Sequence, residues 1–170
     1  METIIIEKKG KNDRSFEDLR WVLKARSTDK INQNIQGIYS DGGILVTTDG
    51  HRLHMISSDL EIDDGNYQVI SANQKQIILK KQDLQYPDYW RVFPTWKPTV
   101  TISCNGSDNG LFRAVFQNFA ENVSYPTDQL HDVYMDHAEV SMCRDDQQYS
   151  PLCLYDNDRR AALIMPLKIQ

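Results

Sequence analysis

The segment T-D-G-H-R-L at residues 48–53 is a polar turn between two short runs that are rich in apolar and β-branched residues. These runs, 44–48 and 51–57, have the composition and length of strands. A D-G-G turn at 41–43 precedes the first run, and glycine supplies the positive φ that tight hairpins need. The sequence therefore predicts three consecutive strands here, at 35–40, 44–48 and 51–57.

A helix is predicted on the N-terminal side of these strands. The apolar residues at positions 16, 19, 22 and 23 recur at the spacing of one helical face. Ser15 is the expected N-cap because an acidic residue follows three positions later, and the helix is predicted over 15–26. The run 3–8 has the composition of a strand, so the first part of the chain has the order β-α-β-β-β.

The same order of elements is predicted at the other end of the chain. The Y-P-T sequence at 125–127 opens a helix predicted over 126–135, since proline is tolerated in a first helical turn. One strand is predicted before this helix and three after it, at 112–116, 138–142, 151–155 and 161–167. The segment between the two parts contains further predicted strands at 67–71, 76–81 and 99–103. The predicted fold class is α+β, with two β-α-β-β-β half-repeats, antiparallel sheets and two helices.

Composition and charge exclude few functions. The chain has 170 residues, 40% of them hydrophobic, and a formal net charge of -5, as is ordinary for a globular protein. This charge argues against a wholly basic nucleic-acid binder but is compatible with a local basic face. The N-terminal sequence does not have the pattern of a signal peptide, and the three cysteines show no C-x-x-C spacing. We therefore expect a cytoplasmic protein without disulfides, zinc or another cofactor.

Two groups of residues could suggest chemistry. Asp49, His51 and Arg52 combine an acid, a base and a cation, which leaves a small hydrolase centred on them as an alternative. No serine, cysteine or lysine nucleophile is recognisably paired with them, so we expect a protein that is not an enzyme. His131 and His137 lie beside acidic residues in the second half but form no converging ligand set, so no metal site is predicted.

Four segments resemble the bacterial DNA sliding clamp, the β subunit of the DNA polymerase holoenzyme, in the same chain order. Residues 48–53 resemble the T-D-G-H-R-L signature of its middle domain. Residues 86–94, Y-P-D-Y-W-R-V-F-P, are similar to its F-P-D-Y-R-R-V-L-P segment, and residues 163–168, L-I-M-P-L-K, resemble its closing V-V-M-P-M-R. Residues 31–38, I-N-Q-N-I-Q-G-I, are a weaker match to V-R-Y-Y-L-N-G-M. The resemblance implies a short clamp-like relative with a DNA-clamp-like fold.

The resemblance also implies a binding site for a short apolar peptide from polymerases and other proteins that use clamps. In the family these segments line one groove, and an extended apolar ligand suits such a groove with a few orienting polar groups. The residues that would line it here are Thr48, Gly50, His51, Arg52, Leu53, Pro87, Val92, Met165, Pro166 and Leu167. Gln33 and Asn34 stand where the family has two tyrosines, so this wall is expected to be more polar.

The implied function is that of a processivity or adaptor factor in DNA replication or repair, which encircles DNA as a homo-oligomer. Its candidate DNA-facing residues are Arg20, Lys24 and Lys75, because clamps present lysine and arginine to DNA phosphates. An acidic stripe at Asp128, Asp132 and Asp136 on the second helix opposes DNA contact there. The alternative is a stand-alone peptide-binding module that competes for the partners of clamps without binding DNA.

The domain organisation is open to two interpretations. The favoured one is a single clamp-type domain over 1–170, with halves at about 1–60 and 112–170 and an inserted hairpin and linker segment at 61–111. The other is two shortened domains joined at 86–94, as this segment joins domains in the family.

Overall fold

The structure is a computed structural model that describes residues 2–93, 100–103, 115, 124–133, 139–143, 150–156 and 159–167. The chain divides into two compact units, Met1–Asp88 and Tyr89–Gln170. This boundary lies inside 86–94, where the two-domain interpretation divides the chain. The single-domain interpretation stays a prediction. The predicted α+β class with antiparallel strands is confirmed in both units.

The first unit consists of a helix and an antiparallel sheet. Helix α1 spans Arg14–Val22, and a 3-10 turn at Leu23–Ala25 extends it. The strands are β1 (Thr3–Glu7), β2 (Ile38–Asp41), β3 (Ile44–Thr48), β4 (Arg52–Ser57), β5 (Gly65–Ala72) and β6 (Gln76–Gln82). Their order across the sheet is β1-β6-β5-β2-β3-β4. The hairpin predicted inside the inserted segment is therefore part of this sheet, because β5 pairs with β2 and β6 pairs with β1.

Helix α1 begins earlier than the sequence predicted. Asp13, not Ser15, is the N-cap, since its Oδ1 accepts a hydrogen bond from the backbone N–H of Phe16 at 3.1 Å. The apolar face of α1 is buried through Phe16, Leu19 and Val22. This burial against β3 and β4 fixes the helix on one face of the sheet.

Three glycines determine the connections around β2. Gly42 and Gly43 both have positive φ, 57° and 83°, as the predicted hairpin between β2 and β3 requires. Gly37 is needed for a different reason: a Cβ there would lie 2.1 Å from the backbone oxygen of Tyr67. The close pairing of β2 with β5 therefore has no room for a side chain at position 37.

The strand predicted at 35–40 is shorter than expected. Residues Gln33–Ile35 form a 3-10 turn, in which Ile35 N–H donates to the Asn32 carbonyl at 3.2 Å. Ile35 is nevertheless buried, because this turn packs its apolar side chain inward before β2 begins at Ile38. A β-branched residue in a buried turn has the same sequence signature as a strand residue.

The second unit has the order β-α-β-β-β in its described elements. They are β7 (Val100–Ser103), α2 (Thr127–Asp132), β8 (Glu139–Cys143), β9 (Leu152–Asp156) and β10 (Arg160–Ile164). The strands are antiparallel in the order β10-β9-β8-β7. Described core residues of this unit include Leu130, Met142, Leu152, Leu154 and Ile164.

The leading strand of this second unit differs from the prediction. Of the strand predicted at 112–116 only Val115 is described, and it is helical and buried, so the prediction is wrong at that residue. The remaining positions of 112–116 lie outside the described residues. The described strand that precedes α2 is β7. Among the described residues, no helix is both long enough and apolar enough to span a membrane.

Candidate peptide-binding site

The turn at 48–53 is held by its own side chains. The Thr48 hydroxyl donates to the Arg52 carbonyl at 2.6 Å and accepts from the Gly50 N–H at 3.1 Å. Gly50 has φ 90°, a left-handed conformation that favours glycine. These bonds close a tight loop and leave Gly50 and His51 exposed at its tip.

The Asp49 carboxylate organises this turn. Its Oδ1 accepts from the backbone N–H groups of His51 and Arg52, at 2.9 and 3.0 Å. Its Oδ2 accepts from Nε of Arg52 at 3.0 Å. A carboxylate engaged by three N–H groups is a structural acceptor and is poorly placed to act as a base. The geometry therefore gives no support to the hydrolase alternative.

The turn is also anchored to the end of the helical segment. Arg52 Nη2 donates to the backbone carbonyl of Lys24 at 2.9 Å, and the Ser27 N–H donates to the Thr48 carbonyl at 3.1 Å. Leu53 is only 3% exposed. Truncation of Leu53 would therefore change stability as well as any binding, while His51 and Arg52 present the polar surface of the turn.

The candidate residues of the second unit lie in two exposed segments. Val92 ends a 3-10 turn, Tyr89–Val92, and is 47% exposed. Met165 and Leu167 follow β10 and are 36% and 49% exposed. Pro166 between them is half-buried, and the Leu167 N–H donates to the Ser124 carbonyl at 2.8 Å. This bond holds an apolar segment against the unit while its side chains remain accessible.

Trp90 is an exposed residue that sequence reasoning did not select. It lies on the same 3-10 turn, is 50% exposed, and its ring centroid is 4.9 Å from that of Tyr89 and 5.4 Å from that of Phe93. The sequence does distinguish this position from the clamps, because the clamp segment F-P-D-Y-R-R-V-L-P has arginine where this chain has Trp90.

Comparisons with known proteins agree with this fold. No protein-family model matches the chain, and neither does any curated protein sequence. Solved structures do match. The DNA polymerase III β subunit of Thermotoga maritima has a TM-score of 0.62 at 16% identity, over 99% of this chain and 66% of that chain. The sliding clamp of Bacillus subtilis has a TM-score of 0.62 at 14% identity, over 99% of this chain and 65% of that chain.

This chain has the fold of the bacterial DNA sliding clamps. A clamp of Pseudomonas aeruginosa bound to griselimycin also matches, with a TM-score of 0.58 and 17% identity over 99% of this chain and 66% of that chain. The chain thus spans slightly less than two thirds of the length of the clamps that it matches. At these identities the likeness establishes the clamp fold, and it assigns no activity.

Within the clamp fold, the candidate site residues fall into two sets. The first set lies in one turn of the first unit and consists of Thr48, Gly50, His51 and Arg52. Pro87, near the end of the same unit, is exposed. The second set belongs to the second unit and consists of Val92 and residues 165–167. Val92, Met165 and Leu167 are exposed. The convergence of both sets on one groove stays a prediction.

The candidate DNA-facing residues of the first unit lie beside a surface cleft. Arg20, Lys24 and Arg26 line it on the helical side, and residues 72–74 of the β5–β6 hairpin line it on the other. Its volume is about 350 Å³. Lys75 is exposed on the same hairpin, directly after the lining residues. The structure thus places Arg20 and Lys24 at one concave basic surface and adds Arg26, which the sequence did not suggest.

The candidate metal residues can be placed only in part. His131 is exposed on α2 and Asp132 is half-buried, whereas His137 and Asp136 lie outside the described residues. Within the described part of the chain, no group of three or more His, Cys, Asp or Glu side chains could hold a metal ion.

Proposed function

We propose that this chain is a sliding-clamp-like adaptor or processivity factor that binds short peptide segments of replication or repair proteins. The observation that carries the proposal is the placement of exposed apolar side chains in the second unit. Among the described residues of that unit, the large exposed hydrophobic ones lie in just two segments, 90–92 and 165–167. Both segments belong to the motifs that resemble the peptide groove of the clamps.

The chemistry of these segments suits a peptide ligand. Single exposed apolar residues are ordinary, but their concentration in short segments is typical of an interaction site. Met165 adds a flexible, polarisable side chain that adapts to different apolar partners. His51 and Arg52 would contribute polar groups that orient the peptide, and the exposed Gln33 and Asn34 make the wall more polar than in the clamps.

The proposal extends to DNA and self-association. The cleft beside Arg20, Lys24 and Arg26 gives phosphate groups a concave, positively charged surface on a chain of net charge -5. We propose that this surface faces double-stranded DNA and that several copies encircle it as a homo-oligomer. Retention on closed circular DNA, lost when the circle is cut, tests this part of the proposal.

The second candidate is a stand-alone peptide-binding module that competes for clamp partners without DNA. The acidic residues of α2 favour it, since Asp128 is exposed and Asp132 is half-buried on a helix of only six residues. An acidic surface repels phosphate. Peptide binding without retention on closed circles would select this candidate over the first.

We further propose that the protein is not an enzyme and acts in the cytoplasm. The engaged Asp49 carboxylate supports the first statement, because it leaves His51 without an available carboxylate partner in the turn. Hydrolytic turnover that is abolished by His51→Ala would contradict it.

The peptide site can be tested residue by residue with methyl NMR. The chain has five methionines, and Met165 is exposed whereas Met142 is fully buried in the same unit. Titration with a short peptide that contains one glutamine, a leucine and a phenylalanine should shift the methyl signal of Met165 and leave that of Met142 unchanged. No shift of the Met165 signal would contradict the proposed site.

A further inference from the structure

Trp90 lies at the centre of a small aromatic cluster in the second unit. Tyr89 is 4% exposed and anchors the 3-10 turn, while Phe93 is half-buried. The Trp90 ring contacts both, at interplanar angles of 34° to Tyr89 and 45° to Phe93. The Phe93 N–H also donates to the Trp90 carbonyl at 3.2 Å. The indole is therefore supported by two rings while half of its surface remains open.

The two contacting positions differ together from the clamp segment. Where that segment reads R-R-V-L, this chain reads W-R-V-F over 90–93. Arginine and leucine could not form the ring contact that Trp90 and Phe93 make at 5.4 Å. The exchange removes one positive charge and creates a supported aromatic surface two residues before Val92.

A complementary change occurs at positions 33 and 34. The clamps have two tyrosines there, and this chain has exposed Gln33 and Asn34. Compared with the clamp segments, this chain has thus lost aromatic side chains at 33–34 in the first unit and gained them at 90 and 93 in the second. The supported aromatic surface at 90 and 93 therefore distinguishes the exposed segment of the second unit from the clamp segment.

We infer that Trp90 is a specificity-determining residue that contacts an aromatic side chain of the partner peptide, and this inference rests on the proposed peptide-binding function. Tryptophan is one of the side chains enriched among residues that dominate binding energies, and Trp90 is 50% exposed. A ring that is already supported loses little conformational freedom on binding. An aromatic partner side chain can stack against the open indole surface or meet it edge to face.

The test is a cycle of two protein forms and two peptides. Wild type and Trp90→Arg, which restores the clamp residue, are titrated with a peptide containing glutamine, leucine and phenylalanine, and with the same peptide carrying alanine for phenylalanine. Wild type should prefer the phenylalanine peptide, and Trp90→Arg should reduce this preference by about 2- to 12-fold, the range for an aromatic pair. Ile70→Arg, at a residue 52% exposed on β5, makes the same type of change outside the assigned site and should leave the preference unaltered.

The outcomes separate this inference from the proposed function. An equal preference in wild type and Trp90→Arg would overturn the role of Trp90 and leave the peptide site standing. No binding of either peptide to any form would overturn both. A change in molecular mass with Trp90→Arg, without a change in peptide preference, would mean that a second copy covers the indole, which also overturns the inference. Thermal melting of each variant confirms that it is folded.

Discussion

The guanidinium of Arg52 donates a hydrogen bond to the backbone carbonyl of Lys24 at 2.9 Å, while its Nε pairs with Asp49 at 3.0 Å. One side chain therefore fixes the polar turn internally and attaches it to the end of the helical segment. Lys24 also lines the basic cleft. Arg52 thus links the turn of the proposed peptide site to the surface proposed to face DNA.

Arg52→Ala should lower the free energy of unfolding by about 1–3 kcal/mol, because it removes a charged pair that is largely shielded from solvent. Arg52→Lys should restore little, since an ammonium group cannot make both bonds in the fixed geometry of a guanidinium. Chemical denaturation gives the measurement, and Arg14→Ala, an exposed arginine on α1, is the control. Unchanged stability of Arg52→Ala would show that the two bonds do not hold the turn.

Gly37→Ala should destabilise the first unit by about 3 kcal/mol or more. The added carbon would clash with backbone atoms, which cannot move aside as a flexible side chain can. The added Cβ would lie 2.1 Å from the Tyr67 carbonyl oxygen, directly before the pairing of β2 with β5 begins. Gly10→Ala is the matched control, since a Cβ there meets no atom within 4 Å. Equal melting temperatures for the two variants would contradict the pairing of β2 with β5.

Acid should weaken the N-terminal end of α1. The backbone N–H groups of Lys9 and Phe16 lower the pKa of Asp13, and the Lys8 ammonium lowers the pKa of Glu17. Because both folded pKa values lie below the unfolded ones, the stabilisation is present above about pH 4.5 and is lost as pH falls through the folded values.

The double variant Asp13→Asn, Glu17→Gln should therefore show a smaller loss of melting temperature between pH 7 and pH 3 than wild type. Glu61→Gln, at an exposed residue, serves as the control and should keep the wild-type pH dependence. A steeper acid loss in the double variant would contradict this account of the helix end.

Charge reversal in the basic cleft should weaken DNA binding. Lys24→Glu combined with Arg26→Glu should reduce affinity for a duplex of random sequence and lower the slope of log K against log salt by about one per lost phosphate contact. Lys30→Glu, on an exposed loop, is the control for charge reversal outside the cleft. The same salt dependence in both proteins would place any DNA contact elsewhere.

Hydrophobic periodicity and turn glycines predicted most elements of the fold. The hairpins predicted at 41–43 and 72–75 depend on local turn chemistry that the sequence displays, and both are present. The N-cap was misplaced because Asp13 and Ser15 are both good caps, and only the chain path from β1 selects Asp13. The strand predicted at 112–116 failed at Val115, since a short apolar run does not distinguish a strand from a buried helix.

The sequence indicated candidate site residues but not their accessibility. The T-D-G-H-R-L segment indicated the turn, yet it could not show that Leu53 is buried while His51 is exposed. Burial of a residue beside a turn depends on how the folded chain packs around it, which is a tertiary property. The exposure of Trp90 was missed for the same reason, because tryptophan is more often a core residue.

The central claim is that the exposed apolar segments bind a peptide, and calorimetric titration tests it most directly. A peptide containing glutamine, leucine and phenylalanine should bind wild type with a micromolar-range constant, about −8 kcal/mol. Met165→Ala should weaken binding by about 1–3 kcal/mol, as expected for a central apolar anchor, whereas Ile5→Ala, at a residue 59% exposed on β1, should bind as wild type does. Equal affinities of all three proteins, or no heat of binding at high micromolar peptide, would contradict the claim.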